Sequence, residues 1–84
     1  MTYSYKTTGT CSQMIKLEID DDQTIKSVSF LGGCNGNLQG ISKLVSGQKI
    51  DDVIPKLEGI KCGFKKTSCP DQLAQALKKV KENF

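Results

Sequence analysis

The period at which apolar residues recur changes once along this chain, and that change constrains the fold more than any other feature. In residues 13–19 (QMIKLEI) the apolar residues Ile15, Leu17 and Ile19 alternate with charged residues, which is typical of a strand with one buried face. Residues 24–31 (TIKSVSFL) alternate in the same way after the acidic stretch DDDQ, so the two segments predict a β-hairpin. Because a lone hairpin is seldom stable in water, residues 3–8 (YSYKTT) are a candidate third strand.

Beyond Phe30 the apolar residues recur at helical spacing. A first helix is predicted to end near Gly47, since glycine favours the position just past a helix. The residues expected on its buried face are Leu38, Ile41, Leu44 and Val45. The next segment, QKIDDVIPKL, has acidic residues suited to a first turn, and Pro55 limits it to a short helix.

A last helix is predicted from Pro70 to about Asn83, because proline is favoured in a first helical turn. The apolar stripe expected on it consists of Leu73, Leu77, Val80 and Phe84. Strands therefore precede helices, which predicts the α+β class: a small antiparallel sheet of two or three strands, with the helices packed on one face. No linker or repeat divides residues 1–84, so a single domain is expected.

Four cysteines and no histidine set the chemistry available to these 84 residues. Domains of about this size often need disulfides or a metal in addition to their core. The N-terminus lacks the apolar run of a secretion signal, so we expect a cytoplasmic location. In that reducing compartment the cysteines favour metal or redox chemistry over structural disulfides.

The predicted fold can bring the four cysteines together, although no CxxC pair is present. Cys11 lies just before the first hairpin strand and Cys34 just after the second, so antiparallel pairing places both at one end of the sheet. Cys34 and Cys69 each precede a predicted helix, whose first N–H groups stabilise a thiolate. Cys62 lies in the loop that leads to Cys69. Four thiolates suit a structural zinc ion, with an iron–sulfur cluster as the alternative.

A redox role is the second interpretation of the same thiols. Cys62 and Cys69 are close in sequence, and the helix start is expected to lower the pKa of the Cys69 thiol. They are the natural pair for reversible oxidation. The third interpretation is that these cysteines are small buried apolar residues without chemistry of their own.

Other function classes receive little support from the sequence. Histidine, the usual general acid or base at neutral pH, is missing, and GGCNGNLQG matches neither the P-loop nor the dinucleotide fingerprint. A net charge of +3 without a basic, aromatic-rich stripe argues against nucleic-acid binding. No apolar run reaches the roughly 18 residues of a membrane span. We therefore expect a protein that is not an enzyme by itself.

The run TSCPDQLAQAL, residues 67–77, resembles the signature of the TSCPD family. Members occur as small four-cysteine proteins and as a C-terminal region of adenosylcobalamin-dependent ribonucleotide reductases. Cys11, GGCNGN and KCG also fall where the short members have them. The resemblance implies a protein partner, and a ribonucleotide reductase is the candidate. A chain of this size cannot hold the barrel of a reductase, so its role there would be metal-stabilised docking or relay of reducing equivalents.

The plan of the chain also resembles the NifU/IscU-type iron–sulfur scaffold proteins. Cys11 before a strand, Cys34 before a helix and Cys69 before the last helix take the places of the scaffold's ligand cysteines. Gln13 and Ser68 stand where that family has an aspartate and a histidine. The resemblance implies a NifU/IscU-like fold, whereas the two departures remove groups associated with a labile cluster.

The sequence therefore predicts a small cytoplasmic metal-binding module with a structural or protein-interaction role. Its proposed ligands are Cys11, Cys34, Cys62 and Cys69. The alternatives are a thiol redox relay that supports ribonucleotide reduction and an iron–sulfur cluster scaffold.

Overall fold

A computed structural model describes residues 1–7, 9, 12–32, 35–61, 63 and 66–84. Its strands are β1 (Thr2–Lys6), β2 (Ser12–Ile19) and β3 (Ile25–Gly32), and they form one antiparallel sheet in the order β1-β2-β3. The predicted hairpin and the candidate third strand are both confirmed.

The acidic turn that joins β2 to β3 is closed by its own backbone. Asp20 N donates to Thr24 O at 2.9 Å, and Gln23 N donates to Asp20 O at 2.9 Å. Gln23 has a φ of 66°, the left-handed conformation that tight turns often require. These contacts fix how β2 pairs with β3. Alternate residues of both strands therefore lie on the same face of the sheet.

Three helices follow the sheet: α1 (Asn35–Val45), α2 (Ile50–Leu57) and α3 (Cys69–Lys81). Pro55 lies inside α2, which ends at Leu57, so the short helix predicted there is confirmed. Lys81 in the last turn of α3 pairs with Asp51 in the first turn of α2. Lys78, three residues earlier in α3, pairs with Glu58, the residue after α2. The two helices are therefore antiparallel neighbours.

The core lies between the helices and the sheet face that carries the alternating apolar residues. Ile15, Leu17 and Ile19 of β2 are at most 1% exposed. The other members of this cluster are Ile25, Val28, Val45, Ile50, Val53, Leu73, Ala76, Leu77 and Val80. The α+β class, with helices after an antiparallel sheet, is confirmed.

Two residues expected in the core are exposed. Leu44 is 76% exposed because successive residues of a helix are about 100° apart, which turns it away from the face shared by Leu38 and Val45. Phe84 is 49% exposed because α3 ends at Lys81, before the apolar stripe would reach it. Among the helices of the described residues, none has the length and apolarity needed to cross a membrane.

Candidate metal centre

The first turn of α3 is held in place by Ser68, its N-cap. The Ser68 backbone is extended, and its Oγ accepts a hydrogen bond from the backbone N of Asp71 at 3.2 Å. This contact satisfies one of the N–H groups that a helix start leaves without a partner. Cys69 is the first residue of α3, directly beside the cap, and it is buried. The predicted start of this helix, Pro70, is therefore one residue later than the observed start, Cys69.

The carboxylate of Asp71 connects this turn to the loop that precedes it. Oδ1 accepts a hydrogen bond from the backbone N of Gly59 at 2.8 Å and one from Gln75 Nε2 at 3.3 Å. Oδ2 accepts a hydrogen bond from the hydroxyl of Thr67. Asp71 is only 8% exposed, so these contacts replace the water that a surface carboxylate would bind.

The ionisation of Asp71 follows from the balance of these effects. Burial, the largest single influence, raises the pKa of Asp71, whereas hydrogen bonds from Thr67, the Gly59 amide and Gln75 lower it. Their sum holds the pKa below the ordinary value of an aspartate. Asp71 is thus a charged group at neutral pH, and its negative charge in the first turn of α3 is favoured by the helix dipole.

Ser68 ties the loop to α3 a second time. Its Oγ donates a hydrogen bond to the backbone O of Ile60 at 2.6 Å. Gly59 and Ile60 are thus held at one end of the loop, while Thr67 and Ser68 are held at the other. Ile60 and Thr67 are therefore both hydrogen-bonded to side chains at the start of α3.

The connection between β1 and β2 approaches this turn from the sheet. A Cβ on Gly9 would lie 3.0 Å from Thr67 Cγ2, and Gly9 has a φ of +73°, a conformation that glycine adopts without strain. At the same end of the sheet, Ser12 of β2 pairs with Gly32 of β3, and α1 begins at Asn35. Gly9 thus lies beside the first turn of α3, at the end of the sheet where Ser12 pairs with Gly32.

Of the four predicted ligands, only Cys69 is among the described residues; Cys11, Cys34 and Cys62 lie outside them. Within residues 1–7, 9, 12–32, 35–61, 63 and 66–84, no group of three or more cysteine, aspartate or glutamate side chains is placed to hold a metal ion. The four-cysteine site therefore stays a prediction.

Thr67, Ser68 and Gly59 take part in this turn, and none of them was predicted from the sequence to do so. A signal for Ser68 was present, since a serine followed three residues later by an acidic residue resembles a capping box. The partnership of Asp71 with Gly59 spans 12 residues and depends on how α2 packs against α3. No local sequence pattern predicts such a contact.

Comparison with known proteins places these observations in a family. A model of the TSCPD domain matches residues 1–81, which include the sheet, all three helices and the Thr67–Asp71 turn. No curated protein matches the chain, and no solved structure matches it. The likeness to NifU/IscU-type scaffolds therefore stays a prediction. Because the family model covers nearly the whole chain, this protein belongs to the TSCPD domain family.

Proposed function

We propose that this protein is a small metal-binding module in which Cys11, Cys34, Cys62 and Cys69 hold one zinc ion. The observation that carries the proposal is that described neighbours of Cys11 and Cys62 contact residues beside Cys69, at the start of α3. Cys69 is buried in that turn, and its position at a helix start suits a thiolate because the first N–H groups favour negative charge.

Two of the other cysteines have neighbours in contact with residues beside Cys69. Gly9, two residues before Cys11, lies against Thr67, and Ile60, two residues before Cys62, accepts the hydrogen bond from Ser68. Two peptide units span at most about 7 Å. Chain length therefore allows the two cysteines to share an ion with Cys69, which supports the proposal.

Sheet pairing supports the inclusion of Cys34. Ser12 follows Cys11 and pairs with Gly32, and Gly32 lies two residues before Cys34. Cys34 also directly precedes the first residue of α1, Asn35, so a second helix start can favour a thiolate here.

The donor set favours zinc in a closed site. Four thiolates and no histidine match a tetrahedral zinc centre with four cysteine ligands, and an iron–sulfur cluster is the alternative occupant. A closed site leaves no coordination position for a substrate, so the role we propose is structural or interactive. The proposed partner, a ribonucleotide reductase, rests on the family resemblance of the TSCPD run.

The ligand assignment is tested with Cys69→Ser and a control, Ala74→Ser. Both substitutions place a hydroxyl at a buried position of α3, but only the first removes a proposed ligand. Zinc per chain, measured by mass spectrometry of protein purified without oxygen, is expected to fall only in Cys69→Ser. Its melting temperature should fall as well, because structural metal binding contributes to the folding free energy. Equal zinc content in the two variants would refute the assignment.

Reversible oxidation of Cys62 and Cys69 is the second candidate function. The Ser68–Ile60 hydrogen bond supports it, because Ile60 lies two residues before Cys62 in the sequence. A redox pair loses two titratable thiols on mild oxidation and regains them on reduction. Four thiols that stay protected until a chelator is added would exclude this function and favour zinc. Transfer of a reconstituted iron–sulfur cluster to an acceptor protein would instead favour the scaffold alternative.

A further inference from the structure

The hydrogen bonds at both ends of the β1–β2 pair show which residues of β2 bond to β1 and which bond to β3. Ile19 N donates to Met1 O at 2.8 Å, and Thr7 N donates to Gln13 O at 3.2 Å. Odd-numbered residues of β2 therefore bond toward β1. Since alternate residues of a strand bond to opposite sides, even-numbered residues of β2 bond toward β3.

The same alternation identifies the groups on the outer edge of β3. Ser27 and Ser29 lie opposite even-numbered residues of β2, so their N–H and C=O groups bond inward. Those of Val28 and Phe30 must then point outward, away from β2. Two N–H donors and two C=O acceptors thus lie along the edge at the spacing of an adjoining strand.

Only the beginning of this edge is covered by the described part of the chain. Ile25 N donates to Gln48 O at 2.8 Å, and Gly47 N donates to Ile25 O at 2.8 Å. Among the described residues, no backbone hydrogen bond reaches Val28 or Phe30 from the outer side. An edge with two such open positions is a template for strand addition.

A cleft of about 440 Å³ lies along the open positions, between residues 27–30 of β3 and one side of α1. On the helical side it extends from Leu38 to Ser46, the residue after α1, about 12 Å at the rise of a helix. Four residues of a strand span about 10 Å. The β3–α1 cleft therefore has the length of a short extended segment and is walled on its second side by a helix.

The helical wall of the β3–α1 cleft carries two small serine side chains and one positive charge. Ser42 Oγ donates to Leu38 O and Ser46 Oγ donates to Ser42 O, each at 2.8 Å, so both hydroxyl protons are bonded to backbone oxygens of α1. Of the described residues that line the cleft, Lys43 carries a charge and none is acidic. The wall thus has short serine side chains and a positive charge that attracts a negative group.

We infer that the β3–α1 cleft binds an extended acidic segment of a partner protein by strand addition to β3. The backbone of the segment bonds to Val28 and Phe30, and a carboxylate pairs with Lys43. A second copy of this chain fits less well, because its net charge is +3 and its edge would bring a whole sheet against α1. This inference does not depend on a bound metal.

The test uses the peptide acetyl-Val-Glu-Val-Glu-Val-amide and, as its charge-reversed counterpart, acetyl-Val-Lys-Val-Lys-Val-amide. Nuclear magnetic resonance of the full chain measures amide shifts and hydrogen exchange. The acidic peptide is expected to shift and protect the amides of Val28 and Phe30, while those of Ser27 and Ser29, already bonded to β2, serve as internal controls. No change at about 5 mM peptide, above the Kd of a millimolar complex, would overturn the inference.

Charge reversal separates the Lys43 pairing from general attraction. Lys43→Glu should weaken binding of the acidic peptide roughly fivefold and shift the preference to the basic peptide. Lys56→Glu, also in the last turn of a helix, should leave the preference unchanged. Equal effects of the two substitutions would contradict the inference. Amide shifts at Val28 and Phe30 that grow with protein concentration in the absence of peptide would also contradict it, since they indicate that a second copy binds the edge.

Discussion

Replacing Asp71 with asparagine tests whether its carboxylate holds the loop of residues 59–68 against α3. The amide oxygen can still accept from Gly59 N and Gln75 Nε2, but an amide NH2 would face the Thr67 hydroxyl, which already accepts a hydrogen bond from Gln72 Nε2 at 3.0 Å. The Thr67 proton then loses its carboxylate acceptor and keeps only the backbone O of Ser68 at 3.5 Å. The remaining bonds to residue 71 no longer involve a charged group. A buried hydrogen bond to a charged group contributes about 1.5–3 kcal/mol, so we expect unfolding free energy to fall by about 2 kcal/mol.

Thermal and urea unfolding at saturating zinc, followed by circular dichroism, measure this loss. For a domain of this size about 2 kcal/mol corresponds to a fall in melting temperature of roughly 10 °C. Hydrogen exchange at the Gly59 amide should accelerate in the same variant, because that amide loses a charged acceptor.

The matched control is Asp51→Asn. Asp51 also bonds across the α2–α3 pair, to Lys81, but the two side chains are 63% and 50% exposed. Exposed pairs contribute about 0–1 kcal/mol, so the control should change little. Equal losses in Asp51→Asn and Asp71→Asn, or unchanged Gly59 exchange, would refute the role assigned to the Asp71 carboxylate.

Two further predictions follow from the same contacts. The lowered pKa of Asp71 stabilises the folded state. This stabilisation is complete above the ordinary aspartate pKa and is lost as pH falls through the folded value. The unfolding free energy should therefore fall more steeply below about pH 4 in the wild type than in Asp71→Asn, and parallel curves would contradict this. Gly9→Ala should lower the unfolding free energy by about 1–2 kcal/mol, because Gly9 has a positive φ and lies close to Thr67. In the control Gly40→Ala, inside α1, the added Cβ meets nothing within 4 Å, so the unfolding free energy should rise by up to about 1 kcal/mol. Equal effects in urea unfolding would contradict the close approach of Gly9 to Thr67.

The alternation of Ile15, Leu17 and Ile19 was sufficient to predict a strand and its buried face, because strand side chains alternate strictly between faces. The start of α3 was predictable to within one residue, at Pro70 instead of Cys69, because its signal is local. Leu44 was assigned wrongly to the core because an apolar residue near the margin of a helical stripe can face either the core or solvent. Only the packing of α1 against β3 decides which.

The candidate site shows the same division between local and distant information. Cysteine type and number suggested the chemistry, and the order of strands and helices predicted that the four positions can converge. The contacts of Asp71 with Gly59 and of Ser68 with Ile60 could not be predicted, because they depend on how the α2–α3 pair closes its loop.

X-ray absorption spectroscopy of the zinc-loaded protein, purified without oxygen, tests the proposed four-cysteine zinc site most directly. We predict one zinc per chain with four sulfur neighbours at about 2.3 Å, from Cys11, Cys34, Cys62 and Cys69. Fewer than four sulfur neighbours, a shell of nitrogen or oxygen atoms, or no retained zinc would contradict the proposal.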